Sequence, residues 1–110
     1  VIQLQVINYL LNSKNASIII DNNFNDEFFS DYKEEFHYII NHFNTYGKIP
    51  DKETFLSKFN DFDLINVSES PKYLVDELYN DYNQRFLAKN FNQIRELLLS
   101  GKTEEAMQSY

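Results

Sequence analysis

The sequence predicts an all-α protein, a compact multi-helix head followed by a long helix and the start of a helical hairpin. Three observations carry that expectation. Apolar residues recur three and four apart along most of the chain, beginning with Ile2, Val6 and Leu10 beside Ile7 and Leu11. Helix punctuation falls where these stripes stop or start: Gly47 follows one stripe, and Asp51 and the pair Ser70-Pro71 precede two others. The run Ile18-Ile19-Ile20 is β-branched enough for a strand, but three residues with no partner run make a poor sheet.

Taken in order, the first helix carries Ile2, Val6 and Leu10 and is interrupted at Asn12-Ser13. Residues Ala16 to Ile20 form a short apolar turn or helix that ends in the turn-prone stretch Asp21-Asn22-Asn23. Phe24, Phe28 and Phe29 lie in a polar connector and are expected to plug the core. From Asp31 the spacing of Tyr32, Phe36, Ile39/Ile40, Phe43 and Tyr46 marks an amphipathic helix, with Gly47 as its left-handed cap. Asp51 is a good N-cap for a short helix bearing Phe55, Leu56 and Phe59. The stretch Asn60 to Ser68 reads as a loop that tucks Phe62, Leu64 and Ile65 inward.

Ser70 then caps a long helix with Pro71 at its first position, where a missing N–H is harmless. It is expected to run to Ser100, with Gly101 as its stop and Thr103 opening a second arm. Val75, Tyr79, Tyr82 and Phe86 make one stripe on it, and Leu87, Phe91, Ile94 and Leu98 make another. At about 100° per residue the second stripe is rotated by well over ~90° from the first. The first stripe is therefore expected against the head, and the second is the candidate self-association surface. A long helix packed on its own domain throughout is the alternative. The head is expected over residues 1–70 and the long helix with a short second arm over 71–110, one structural domain overall.

Composition narrows the function. Ten Phe and eight Tyr supply a core without disulfides, since Cys is absent; thiolate metal sites are excluded with them, and a reducing cytoplasmic setting is expected. No apolar run approaches the roughly 18 residues of a membrane span, and no signal peptide is recognisable. A net charge of −7 with scattered Lys and Arg argues against direct DNA binding, which wants a basic stripe. The chain ends inside a helical pattern, as an excised domain would.

Two motifs resemble chemistry and fail on inspection. Ser100-Gly101-Lys102-Thr103 ends like a P-loop, but the required Gly five residues before Gly101 is Glu96, and the preceding element is a helix rather than a strand. Glu34-Glu35-Phe36-His37 holds one Glu-x-x-His step of the kind used in di-iron bundles, which need two such steps and two further glutamates. His42 lies five residues on, toward another side, so both histidines read as ordinary surface or hydrogen-bonded groups. Asp61, Asp63 and Glu69 sit in a loop and are most simply solvated. No nucleophilic constellation is present, so neither a catalytic, a cofactor-binding nor a metal-binding residue is assigned.

A family resemblance supplies what the motifs do not. The segment Phe29 to Ile40, with His37 ahead of the pair Ile39-Ile40, leads into Gly47-Lys48-Ile49-Pro50-Asp51-Lys52-Glu53-Thr54-Phe55. The latter resembles the Gly-x-Pro-Ile-Asp-x-x-Thr-Leu turn of DnaB-type replicative helicase N-terminal domains, with Ile and Pro exchanged. Val6 to Leu11 is similar to that family's opening helix, with Gln3 as the counterpart of its Gln. Tyr73 to Leu99, including Arg85, resembles the first arm of its helical hairpin. The segment Asp61 to Ser70 is shorter than its family counterpart and the second arm is cut short, which suits a divergent, phage-encoded member.

The resemblance implies a mechanical role. Such domains associate as dimers within a collar on a hexameric ring and dock primase or a helicase loader. DNA is engaged only by the full-length assembly, whose ATPase domain would follow Tyr110. The alternatives are the helicase-binding domain of a primase, which has a similar head and hairpin, and a small acidic phage adaptor or inhibitor of a replication protein.

Two outcomes are expected on these grounds. Calorimetry should detect no stoichiometric ATP binding by this chain; binding abolished by Lys102→Ala would restore the P-loop reading. Fluorescence anisotropy at ~150 mM salt should show DNA affinity no tighter than the non-specific range of about 10⁻⁴–10⁻⁶ M, and a submicromolar complex would contradict it.

Overall fold

The computed structural model describes residues 1–99, and these are all helical or irregular, without a strand. Five α-helices follow one another: α1 (Ile2–Ser13), α2 (Ser17–Asp21), α3 (Lys33–Tyr46), α4 (Lys52–Lys58) and α5 (Pro71–Leu99), with a 3-10 turn at Asp26–Phe29 between α2 and α3. The long helix is present with its predicted start. The expected end at Ser100, the Gly101 stop, the P-loop-like tetrapeptide and the second arm from Thr103 lie outside the described residues.

The chain divides into two compact units, Val1–Tyr79 and a second beginning at Asn80. The boundary falls inside α5 rather than before it at residue 70. The reason is local: Leu74 and Leu78 are fully buried, so the opening turns of α5 belong to the head's core. Helical periodicity predicts Val75, Tyr79, Tyr82 and Phe86 for that face. Instead Val75 and Tyr82 are half-buried, while Tyr79 and Phe86 count as exposed. Tyr79 still contributes, because its ring packs 5.1 Å from Phe24 and 5.4 Å from Phe28 and its hydroxyl donates to the Asn22 carbonyl at 3.0 Å.

In the head, α1 is the central element. Val6, Ile7, Leu10 and Leu11 are wholly inaccessible, a face too broad for a helix with one partner. Around it the connectors are plugged by aromatics, as expected: Phe24, Phe28 and Phe29 are all buried. Phe29 stacks on Phe36 of α3 at 4.5 Å, and Phe28 meets Phe24 at 4.8 Å. A second aromatic group gathers on α4, where Phe55 lies 5.0 Å from Phe59 and 4.9 Å from Phe62. The isoleucine triplet is helical: Ile18 and Ile19 are buried in α2, and Ile20 is left 56% exposed.

Punctuation is largely as expected, with one exchange of roles. Gly47 adopts φ +75 and its N–H closes on the Phe43 carbonyl at 2.7 Å. Ser70 Oγ accepts from Tyr73 N at 3.2 Å, so Ser70 caps α5 as predicted. Asp51 occupies the N-cap of α4 but makes no side-chain cap. Its carboxylate lies 3.4 Å from Lys14 Nζ, which also donates to the Pro50 carbonyl at 2.7 Å. Lys14 itself is in the left-handed region at φ 60, closing α1 through its N–H to Leu10. In the loop before α5, Phe62 and Ile65 are half-buried, but Leu64 is 41% exposed rather than tucked inward. Tyr46, expected on the inner stripe of α3, is also out in solvent.

Two polar residues of α1 are as deeply placed as its leucines. Asn8 is 1% exposed and Gln3 3%. The Asn8 amide donates to the Leu4 and Asp63 carbonyls, both at 3.0 Å, and its oxygen accepts from Ile65 N at 2.9 Å. Gln3 donates to Ser30 Oγ at 3.2 Å and accepts from Asp31 N at 2.9 Å. Each amide therefore stands in for a stretch of backbone, pinning a connector that has no ladder of its own. Removing the Asn8 amide leaves a carbonyl and an N–H of the 60–70 segment unsatisfied near the core. Asn8→Ala should cost about 2–4 kcal/mol in urea unfolding. Asn12→Ala, which removes only an exposed 3.4 Å contact to the Ile65 carbonyl, should cost far less. Equal losses would show that the Asn8 clamp is not what secures the segment.

Candidate functional site

The predicted surface on α5 lies in the second unit. Leu87 is 57%, Phe91 68% and Leu98 49% exposed, while Ile94 is half-buried. The four share one helix face at +4, +3 and +4 spacing, and Phe86 and Leu99 leave further apolar area in water beside them. Scattered exposed leucines are ordinary, but a contiguous apolar row on one helix makes this face the candidate association surface. Arg85, the basic position singled out in the sequence, is held on its own helix: its guanidinium lies 3.1 Å from Asp81 and 5.8 Å from the centre of the Tyr82 ring.

The head carries a second apolar surface that the sequence did not disclose. An open groove of about 590 Å³ lies along α2 and α3, floored by Ile19 and Phe36 and flanked by Ile20, Ile40 and Phe43. Ile40 and Phe43 are half-buried and Ile20 is largely exposed. One lip is fixed by His37, whose Nε2 donates to Asp26 at 2.9 Å. Asn23, in the left-handed region at φ 53, turns the chain at the same edge. The signal that could have found this groove was the width of the α3 stripe. Tyr32, Phe36, Ile39, Ile40, Phe43 and Tyr46 span more of the helix than one core contact covers, and Ile39 alone of the central pair is fully buried.

Charge separates the two surfaces. Residues 1–79 contain all but four of the seventeen Asp and Glu but only six of the ten Lys and Arg, so the net charge of −7 resides wholly in the head. From Asn80 onward, Arg85, Lys89, Arg95 and Lys102 balance Asp81, Glu96, Glu104 and Glu105. The α5 stripe therefore sits in a neutral unit and the groove in an acidic one.

The two histidines have local partners, and the loop carboxylates face solvent. His37 is bonded to Asp26 rather than aligned with Glu34, and His42 Nδ1 donates to the Lys48 carbonyl at 2.9 Å. Asp61, Asp63 and Glu69 are exposed in the 60–70 segment. Among the described residues no three His, Asp or Glu side chains are grouped to hold a metal ion, and no helix is long and apolar enough to cross a membrane. Comparison of the chain with family models, curated proteins and solved structures finds no match.

Proposed function

We propose that this chain is an assembly and docking domain of the kind found at the N-terminus of DnaB-type replicative helicases, without catalysis of its own. In that role it would associate with copies of itself, as dimers within a hexameric ring. It would also present its head to primase or a helicase loader, leaving DNA to the complete assembly. One observation carries the self-association half of the reading: a helix opens inside a well-packed head and continues into a neutral unit with Leu87, Phe91 and Leu98 in water. Each large side chain on such a row gains roughly 1.5–3 kcal/mol on burial, and a copy of the same face is self-complementary about a two-fold axis. The helicase half rests on the resemblance of the Gly47–Phe55 turn, the opening helix and the long arm. A cytoplasmic location follows from the same reading.

The test is assembly in solution. Sedimentation should reveal a concentration-dependent dimer, and Leu98→Asp should weaken it at least tenfold with helical circular dichroism largely kept, because a carboxylate is costly in a buried apolar interface. Phe91→Asp should act alike, and raising salt should not weaken the native dimer, since its surface is neutral and apolar. A monomer at high concentration, or a dimer indifferent to both substitutions, would sink the assembly role.

A further inference from the structure

The groove between α2 and α3 is independent of the α5 stripe, and its shape and surroundings specify an occupant. We propose that it is a docking site for a short cationic amphipathic helix from a partner protein. Its volume lies within the range of small-ligand clefts, but such clefts enclose most of their ligand's surface. This one is open along its length, so a bound body must bring its own cover, as a helix does when it lays an apolar face into a groove. The α3 wall runs from Phe36 to Asn44, roughly 12 Å at the helical rise, the length of about two turns. Two or three apolar side chains at i, i+3 or i+4, and i+7 fill that length.

The sign of the partner's charge follows from the unit that carries the groove. Between Asp21 and Glu35 the chain places six carboxylates (Asp21, Asp26, Glu27, Asp31, Glu34 and Glu35) against Lys33 alone. On the groove itself Asp26 and His37 engage each other, so the steering comes from the carboxylates around it. The head as a whole has the same net sign, −7. An acidic or neutral helix would meet repulsion or no steering here, whereas Lys and Arg on the helix's outer edges are drawn by the acidic field of the head. Steering of this sort sets encounter rate and choice of partner, while the apolar anchors supply most of the affinity.

A phage-displayed library of random peptides of about 16 residues, panned on the whole chain at ~150 mM salt, tests the proposal. Enriched peptides should combine apolar residues at helical spacing with flanking Lys or Arg. A synthetic copy should shift the amide resonances of Ile20, Ile40 and Phe43 and leave those of Leu87 and Phe91 in place. Ile40→Ser should weaken its binding about tenfold, as truncating a central anchor does. Ile20→Ser, at a mostly exposed position that folding does not require, should weaken it several-fold. Doubling the salt should also lower the affinity. The titration is repeated on Leu98→Asp, so that loss of self-association is read apart from loss of the groove. Failure to enrich any peptide, enrichment of acidic or uncharged sequences, shifts confined to α5, or indifference to both serine substitutions would each overturn the proposal. A small apolar molecule that saturates the groove while no peptide does would overturn it too.

Discussion

The head depends on a side-chain amide buried where an aliphatic residue would be expected. Asn8 lies on the inner face of α1 between Ile7 and Leu10, which are fully buried, and it carries the donor and acceptor of a peptide group without being part of one. An isolated amide there would cost on the order of 2–7 kcal/mol on removal from water. It is tolerated because Asp63 and Ile65 complete it, and they in turn need it. Their segment runs without helix or ladder, so its backbone groups have no regular partners. The exchange is mutual: the helix is spared an orphaned amide and the connector gains a fixed path. That path ends at Ser70, and thus determines where α5 begins and which of its faces meets the core.

Much of the remaining head is built from pieces too short to stand alone. The helix α2 has five residues, α4 has seven and the 3-10 turn four, whereas isolated helices below ~12–15 residues are marginal in water. Their order comes from aromatic packing. Phe28 and Phe29, on the 3-10 turn, face opposite partners: Phe28 meets Phe24 and Tyr79, and Phe29 meets Phe36. On α4, Phe55 joins Tyr38 of α3 to Phe62 of the following connector, at 6.2 and 4.9 Å. Rings can do this because each removes on the order of 150–250 Å² from water and tolerates tilted geometries. A chain rich in Phe and Tyr can therefore dispense with long helices everywhere except α1, α3 and α5.

What was legible in the sequence follows the same division between local and tertiary causes. Gly47, Ser70-Pro71 and the stripe Phe36–Ile39 were readable because backbone conformation and helical period are written within a few residues. Asp51 was readable as an N-cap position but not as a partner of Lys14, which comes from a distant turn. Leu74 and Leu78 lost to Val75 and Tyr79 because the two pairs lie about 100° apart on the same helix and both are apolar. Only the surrounding core decides between them. Asn8 and Gln3 were invisible as core residues, since an amide on an apolar stripe has no sequence mark that distinguishes clamp from surface. The exposure of Leu87, Phe91 and Leu98 was legible because they form a simple row on one helix. The groove was not, because its walls come from two helices whose approach is fixed elsewhere.

The partition of charge gives these surfaces different physics. Copies of a head with net charge −7 repel one another, and that repulsion is screened beyond about 8–10 Å at physiological salt. Self-association of such a chain is least opposed where charge balances, which is the unit carrying Leu87, Phe91 and Leu98. There the driving force is apolar burial, which salt does not weaken. At the groove the same acidic field favours a basic body over an acidic one, a second head included. An acidic head and a neutral second unit thus differ in what each would admit: the proposed contact between copies is least opposed along α5, and the proposed cationic partner is favoured at the head.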